Sequence, residues 1–187
     1  MKTGEREKKL IDACRNGDRT AMEKLYVMYY KPMFNTAYRI VNDFHFAEDI
    51  MQESFLKAFE KLDRFEGRST FGAWLKRIVI NESLQWLKKY KRFQFNAEEI
   101  WREELVEEDP DEDLLGDNHV PPEKLLELLN RLKPNYKIIL QLYFIEGYDY
   151  EEIGQIMGIT YQNARTMLSR AKQKLKKLLE NERISDA

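Results

Sequence analysis

The chain has 187 residues, of which 43% are apolar and 34% are charged. These proportions exclude a fibrous or wholly disordered protein and are typical of one or two small globular domains. Glycine and proline are scarce, and good helix formers recur at helical spacing, so the sequence predicts an all-α fold. The one cysteine, Cys14, excludes an internal disulfide and suits a reducing compartment. Neither a signal peptide nor a membrane span is evident, so we expect a cytoplasmic protein without membrane insertion.

The net charge of −2 is unevenly distributed. Between Ala97 and Asp117 the chain has eleven acidic residues and one arginine, a net charge of −10, so the remaining residues together carry +8. We interpret residues 96–120 as an acidic linker between two basic parts. It is either a solvated spacer or a segment that occupies a basic channel on a partner.

Four helices are predicted before the linker, and they form a four-helix domain over residues 1–95. They cover Glu5–Arg15, a segment from about Thr20 to Ile40, Phe46–Leu62 and Phe71–Tyr90. Pro32 lies inside the second pattern and predicts a kink or a division into two helices.

A smaller helical domain is predicted over residues 121–187. It begins with "PPEKLLELLNRL", continues with "KPNYKIILQLYFIEG" and ends in two helices separated by Gly158. The last part, "YDYEEIGQIMGITYQNARTMLSRAKQKL", has the layout of a helix-turn-helix. Asp149 and Glu152 predict a capping box, Thr160 predicts an N-cap, and Gly154 predicts a close approach of the second helix.

The outer face of the second of these helices is polar and basic. Its inner face carries Ala164, Leu168, Ala171 and Leu175, and the residues that point away are Gln162, Arg165, Thr166, Ser169 and Lys172, with Asn163 and Arg170 at the margins. An α-helix fits the DNA major groove, where arginine contacts guanine and glutamine or asparagine contacts adenine. The pattern therefore favours DNA binding, although an ordinary amphipathic surface helix is the alternative.

The segment "FAEDIMQESFLKAFEKL" places a leucine on a polar helix face. Leu56 lies among Asp49, Gln52 and Glu53, opposite the apolar face that contains Phe55. It is either an incidental exposed leucine or the apolar centre of a docking surface ringed by carboxylates. A di-metal carboxylate site is a weaker option, because no Glu-x-x-His occurs.

The segment "RFEGRSTFGAWLKRIVINESLQWLKKYKR" combines aromatic residues with cations. Such a combination suits single-stranded nucleic acid, because bases stack on rings while phosphates pair with cations. A glycine-bearing loop beside these residues is suited to hold an extruded base. The alternative is that Phe65, Phe71 and Trp74 belong to the core.

Together these segments resemble bacterial RNA polymerase sigma factors of the extracytoplasmic-function group. "AEDIMQESFLKAF" resembles the polymerase-docking helix of that family, and "FEGRSTFGAWLKRIVINE" resembles its promoter-melting segment. "LKPNYKIILQLYFIEGYDYEEIGQIMGIT" with "ARTMLSRAKQKL" resembles its second DNA-binding domain. The resemblance covers both predicted domains and fails in the acidic linker and at the two ends.

The resemblance implies three sets of contacts. Core RNA polymerase would be bound by Asp49, Gln52, Glu53 and Leu56. The minus-10 element of promoter DNA, with one base flipped, would be bound by Arg64, Phe65, Gly67, Arg68, Ser69, Trp74, Arg77 and Asn81. The minus-35 element would be read by Gln162, Asn163, Arg165, Thr166, Ser169 and Arg170. The acidic linker would correspond to the family's interdomain linker, which threads toward the active site of the polymerase.

The family resemblance also implies an anti-sigma factor as a partner, no cofactor, and no catalytic chemistry in the chain itself. Family members commonly have "GTVKSR" where this chain has "QNARTM", so Gln162, Asn163 and Met167 leave the promoter sequence open. Two other functions are weighed against this one. A free-standing helix-turn-helix regulator would use the front domain to sense a ligand or dimerise, and a helical enzyme would use the carboxylates with a metal or substrate.

Overall fold

The structure is a computed structural model that describes residues 2–90 and 121–185. The chain divides into two compact units, residues 1–93 and 94–187. All regular structure in the described residues is helical, so the prediction of an all-α protein is confirmed. The predicted acidic linker, residues 96–120, lies outside the described residues, and the predicted domain boundaries stay predictions.

In the part that the structure describes, the first unit contains four helices and a short 3-10 turn. They are α1 (Lys2–Arg15), α2 (Arg19–Val41), α3 (Phe44–Glu60), the 3-10 turn Leu62–Arg64 and α4 (Phe71–Tyr90). The four predicted helices are therefore present. The third begins two residues before its predicted start, and the 3-10 turn follows its end.

Short polar residues set the ends of these helices. The Asp18 carboxylate accepts hydrogen bonds from the backbone N–H groups of Thr20 and Ala21, and Asp43 accepts one from the N–H of Phe46. Asn42 ends α2 in the left-handed conformation, at φ 53°. Helices α2, α3 and α4 then pack around a core whose largest fully buried side chains are Leu25, Met33, Phe71, Leu75 and Ile80.

Pro32 does not divide the second helix, so the alternative of two helices is wrong. Proline leaves the carbonyl of Met28 without its usual partner in the helix. Met28 and Pro32 both lie on the exposed side, where water can hydrate that carbonyl. Met33 and Ala37 are fully buried immediately afterwards, so packing of the inner face holds α2 together.

The second unit also contains four helices in its described residues. They are α5 (Pro122–Arg131), α6 (Pro134–Leu140), α7 (Tyr150–Met157) and α8 (Tyr161–Ser185), and a π-helical turn, Gln141–Ile145, extends α6. Glu182 near the end of α8 forms ion pairs with Lys124 and Arg131 of α5. No helix in the described parts of the chain is long and apolar enough to cross a membrane.

Candidate functional site

The polar face of α3 surrounds an exposed leucine, as the sequence predicts. The side chain of Leu56 is 59% exposed. Asp49, Gln52 and Glu53 lie at helical spacing beside it and are exposed as well. On the opposite face Met51 and Phe55 are buried, so rotation of the helix would not bury Leu56 without exposing the core.

Leu56 lies in a groove of about 630 Å³ between α3 and α4. The α3 side of the groove carries the four predicted docking residues, and the α4 side adds Glu82, Gln85, Trp86, Lys89 and Tyr90. None of these α4 residues is among those that the sequence predicts to dock the polymerase. Their spacing of three and four along one outer face of α4 was the signal that would have identified them.

Three aromatic rings line one end of this groove. The Phe46 and Trp86 ring centroids are 4.6 Å apart, and those of Trp86 and Tyr90 are 5.4 Å apart. Phe46 remains 40% exposed and Tyr90 58% exposed despite these contacts. Apolar rings and an exposed leucine ringed by charged groups are the composition of a protein-docking surface.

An ion pair fixes the groove by joining its two helices. Lys57 Nζ lies 2.7 Å from Glu82 Oε2 and 3.6 Å from Glu53 Oε1. The hydrogen bond to Glu82 raises the pKa of Lys57, with smaller contributions from the charges of Glu82 and Glu53, against the opposing effect of desolvation. The pair holds the outer faces of α3 and α4 in one relative position.

The loop before α4 exposes cations and a glycine. Arg64, Gly67, Arg68 and Ser69 are exposed, and Gly67 has φ +74°, a conformation that favours glycine. Arg68 Nε lies 2.6 Å from Glu66 Oε2 at the surface. The loop therefore presents backbone and cationic groups to the solvent.

Phe65 differs from its neighbours because its ring is buried. The side chain is 7% exposed, and its ring centroid lies 5.9 Å from that of Phe71 and 5.2 Å from that of Trp74. Of the two interpretations of Phe65 in the sequence analysis, the structure favours the core residue. Its ring anchors the loop, whereas the other loop candidates, Arg64, Gly67, Arg68 and Ser69, are exposed.

Trp74, Arg77 and Asn81 follow the loop along one face of α4. Asn81 is exposed, and Trp74 and Arg77 are half-buried. Their spacing of three and four places them on neighbouring turns of the helix. The exposed loop and this face thus lie next to each other in one unit, as the sequence predicts.

The helix-turn-helix geometry is present in detail. Asp149 and Glu152 form a reciprocal capping box, with the Glu152 N–H donating to Asp149 Oδ1 at 2.8 Å and the Asp149 N–H donating to Glu152 Oε2 at 3.1 Å. Gly158 ends α7 at φ +72°, and Thr160 Oγ1 accepts a hydrogen bond from the Asn163 N–H at 3.2 Å. The predicted caps are confirmed.

Gly154 permits the tight turn between α7 and α8. A Cβ atom on Gly154 would lie 2.9 Å from the carbonyl oxygen of Ile159, a backbone atom that cannot rotate away. The predicted close approach is therefore confirmed, and it involves the turn that leads into α8.

The candidate minus-35 residues differ in exposure. Gln162 and Arg165 are exposed, and Thr166 and Ser169 are half-buried. Asn163 and Arg170 are buried, at 9% and 6% exposure, more than their predicted marginal positions imply. Gln162 and Arg165 are accordingly the most accessible members of the set.

The prediction that Lys172 points away from the unit is wrong. Its side chain is 8% exposed, and Nζ lies 5.4 Å from the ring centroids of both Tyr143 and Phe144. A cation is stabilised over aromatic faces, and the long aliphatic stem packs at little cost. Met167, at the position where the family commonly has a basic residue, is fully buried. Neither residue belongs to the outer surface of α8.

Two further features bear on chemistry. The described residues contain no group of three or more His, Cys, Asp or Glu side chains with the geometry to hold a metal ion.

Cys14 is buried, and burial, together with the nearby charge of Asp18, raises the pKa of its thiol. Its thiol is therefore a packing group and not an activated nucleophile.

Two known family models match the chain, one in each unit. Residues 25–93 match the model for Sigma-70 region 2, and residues 123–175 match the model for Sigma-70 region 4. The RNA polymerase sigma factor YlaC of Bacillus subtilis is 32% identical over 173 residues, which cover 89% of this chain and 98% of YlaC. The sigma factor SigW of the same organism is 29% identical over 182 residues, covering 92% of this chain and 96% of SigW.

Solved structures share the fold. The sigma factor RpoE in a co-crystal with the anti-sigma factor NepR from Bartonella quintana has a TM-score of 0.58 at 24% identity, covering 84% of this chain and 96% of RpoE. CnrH in complex with the cytosolic domain of CnrY has a TM-score of 0.57 at 20% identity, covering 94% of this chain and 97% of CnrH.

The relatives are RNA polymerase sigma factors, which regulate transcription and are not catalysts. The chain belongs to the sigma-70 family of RNA polymerase sigma factors, in the extracytoplasmic-function group to which SigW also belongs. It is thus a promoter-specific transcription initiation factor that binds RNA polymerase.

Proposed function

We propose that this sigma factor binds core RNA polymerase through the groove between α3 and α4 and directs initiation by contacting two promoter elements. The observation that carries the proposal is Leu56, an exposed leucine ringed by polar and acidic side chains at the edge of a groove with aromatic walls. A helix with an apolar face and a basic border would bury Leu56 and pair with Asp49 and Glu53. Clamp helices of the largest polymerase subunit are the proposed partner.

The loop 64–70 is proposed to bind the minus-10 element. Arg64 and Arg68 supply charge for phosphates, and the open backbone at Gly67 and Ser69 allows a base to approach closely. Taking one base of the non-template strand out of the stack would help to open the duplex. Trp74, Arg77 and Asn81 are proposed to support the melted strand, and Phe65 to hold the loop from within.

Helix α8 is proposed to read the minus-35 element from the major groove. The capped start of α8 places Gln162 and Arg165 on its exposed side. Arginine reads guanine by two parallel hydrogen bonds, and glutamine reads adenine in the same way. Thr166 and Ser169 lie beside them with part of each side chain exposed. Asn163 and Arg170 are buried, and they are proposed to hold α8 in position for DNA binding and not to contact bases themselves.

Two further assignments follow from the relatives and the charge distribution. Because the sigma factor RpoE shares this fold and is held in a complex with the anti-sigma factor NepR, we propose that an anti-sigma factor also binds this chain. The acidic linker, outside the described residues, is proposed to occupy a basic channel of the polymerase. Its net charge of −10 between Ala97 and Asp117 supports that assignment.

The test of polymerase binding is the substitution Leu56→Asp. A charge at the centre of the docking surface removes apolar burial, so we expect Leu56→Asp to abolish co-purification with core RNA polymerase. The fold should be retained, because the side chain is exposed, and circular dichroism checks this.

Val27→Asp is the matched control. Val27 is 62% exposed on α2 and does not line the groove, so it receives the same change at a similar exposure. We expect Val27→Asp to co-purify as the native chain does. Unchanged co-purification of Leu56→Asp would contradict the docking proposal and favour a free-standing DNA-binding regulator.

A further inference from the structure

A second groove lies between α1 and the loop 64–70. Its volume is about 360 Å³, within the range of pockets that hold small ligands. One wall is the loop, with Glu66, Gly67, Ser69 and Thr70, and the other is α1, with Glu7, Lys8, Asp12 and Arg15. Helix α1 precedes the residues 25–93 that match the Sigma-70 region 2 model, so the family match does not account for this wall.

Helix α1 is fixed against the loop and the core. Arg15 Nη2 donates a hydrogen bond to the carbonyl oxygen of Phe65 at 2.5 Å. At the other end of the groove the Tyr29 hydroxyl donates to the Glu7 carboxylate, and between the two Ile11 is buried. Arg15 thus binds the backbone of the residue whose ring anchors the loop.

The groove and its rim differ in charge. Its lining has three carboxylates, Glu7, Asp12 and Glu66, and two cations, Lys8 and Arg15. The Asp12 carboxylate accepts a hydrogen bond from Arg15 Nη1 at 3.1 Å, and its side chain is 53% exposed, so its other lone pairs are open to a ligand. Arg64 and Arg68, the exposed cations of the loop, are not part of the lining. Carboxylates repel phosphates but accept hydrogen bonds from the exocyclic amino groups of cytosine and other bases. The arrangement suits a base inside and its phosphates at the rim.

We propose that α1 is the second wall of the site that receives the extruded base, with Arg15 positioning the loop and the Asp12 carboxylate selecting a base that has an exocyclic amino group. This inference rests on the proposed binding of the minus-10 element by the loop. Thymine, which has no exocyclic amino group, would leave Asp12 without a donor on that edge. Cytosine and adenine each supply one.

The experiment measures binding of the complex of this chain with core polymerase to forked promoter DNA, which is duplex upstream and single-stranded on the non-template strand downstream. An abasic site is moved along the single strand to find the position at which loss of the base weakens binding most. If no position matters, the proposed base capture itself fails. If one does, that position is filled in turn with cytosine, adenine and thymine.

We expect the native chain to prefer cytosine or adenine over thymine by about tenfold, and Asp12→Asn to remove most of that preference. Asp63→Asn is the matched control, because Asp63 is exposed next to the loop but does not line the groove. If part of a variant is unfolded, its apparent affinities for the cytosine and the thymine forks fall equally, and the ratio of the two affinities is unchanged. No preference in the native chain, or an unchanged preference in Asp12→Asn, would overturn the selection by Asp12.

The positioning role of Arg15 has its own readout. Arg15→Ala should weaken binding to the fork that contains the preferred base by about tenfold and binding to the abasic fork much less, since only the former places a base between the loop and α1. A merely structural role would weaken both forks alike, and that result would overturn the positioning role.

Discussion

At the scale of single residues, Gly154 links the fold of the second unit to its proposed reading of DNA. A Cβ atom here would lie 2.9 Å from the Ile159 carbonyl oxygen, so the turn into α8 must shift to accept it. We expect Gly154→Ala to lower the free energy of unfolding by about 1–3 kcal/mol, the usual cost of overpacking, as measured in urea. Gln162→Ala, at an exposed position of α8, should leave stability unchanged. If Gly154→Ala were as stable as the native chain, the close contact between position 154 and the turn before α8 would be wrong.

Arg165 is the exposed arginine on the proposed reading face of α8. If it reads a base, Arg165→Ala should cost about 1–3 kcal/mol of binding and relax the preference at one upstream position. Binding of the polymerase complex to a set of single-base promoter variants measures both effects. Lys177→Ala removes an equal charge farther along the same helix and should leave the preference unchanged. Equal weakening by Arg165→Ala on every sequence would indicate a phosphate contact instead.

The sequence predicted local features of this region well and side-chain exposure less well. Thr160 and the Asp149–Glu152 box were predictable because capping depends on residues a few positions apart. The burial of Lys172 was not, because it depends on Tyr143 and Phe144 of another helix. A helical wheel shows the direction in which a side chain leaves the helix, but it does not show which residues of other helices lie in that direction.

At the scale of elements, α3 and α4 form the two sides of the proposed docking groove. An ion pair between Lys57 of α3 and Glu82 of α4 joins them. Because the pKa of Lys57 is higher in the folded chain than in the unfolded one, the pair stabilises the fold below the ordinary lysine value near 10.5. This contribution is lost as the pH rises through the raised pKa. We expect Glu82→Gln to lower stability by about 1 kcal/mol at pH 7, and the difference from the native chain to narrow above about pH 10.5.

Urea unfolding of both chains at neutral and alkaline pH measures this difference. Glu60→Gln is the control, since Glu60 is an exposed carboxylate at the end of α3, the helix of Lys57, and it should match the native chain at each pH. A stability difference for Glu82→Gln that does not change with pH would mean that the pair contributes no charge-dependent stabilisation.

The elements themselves were largely predictable, with two exceptions that have physical causes. Pro32 suggested a kink or a division into two helices, and the division does not occur because burial of Met33 and Ala37 outweighs one missing hydrogen bond. The π-helical turn at Gln141–Ile145 has no distinct sequence signal, because its apolar residues also fit an α-helix. The groove formed by α1 was missed for another reason: it depends on Arg15 meeting Phe65, fifty residues away in the chain.

At the scale of the whole molecule, the division of charge suggests separate tasks for its parts. The segment between Ala97 and Asp117 has a net charge of −10, and the rest of the chain has +8. We expect deletion of residues 103–113 to impair early RNA synthesis more than promoter binding, because an acidic segment in a basic channel acts after the DNA is bound. Gel-shift and abortive-initiation assays on one promoter compare the two steps. If the deletion weakened promoter binding more than early RNA synthesis, the acidic linker would act only as a tether between the two units.

Above all, this chain is proposed to direct core RNA polymerase to particular start sites. Run-off transcription with purified core polymerase over a genomic promoter library tests it most directly. We expect the native chain to give transcripts from discrete start sites that share two upstream elements at a fixed separation, and Leu56→Asp to give none above core polymerase alone. Absence of such transcripts with the native chain, or equal transcription with Leu56→Asp, would contradict the account.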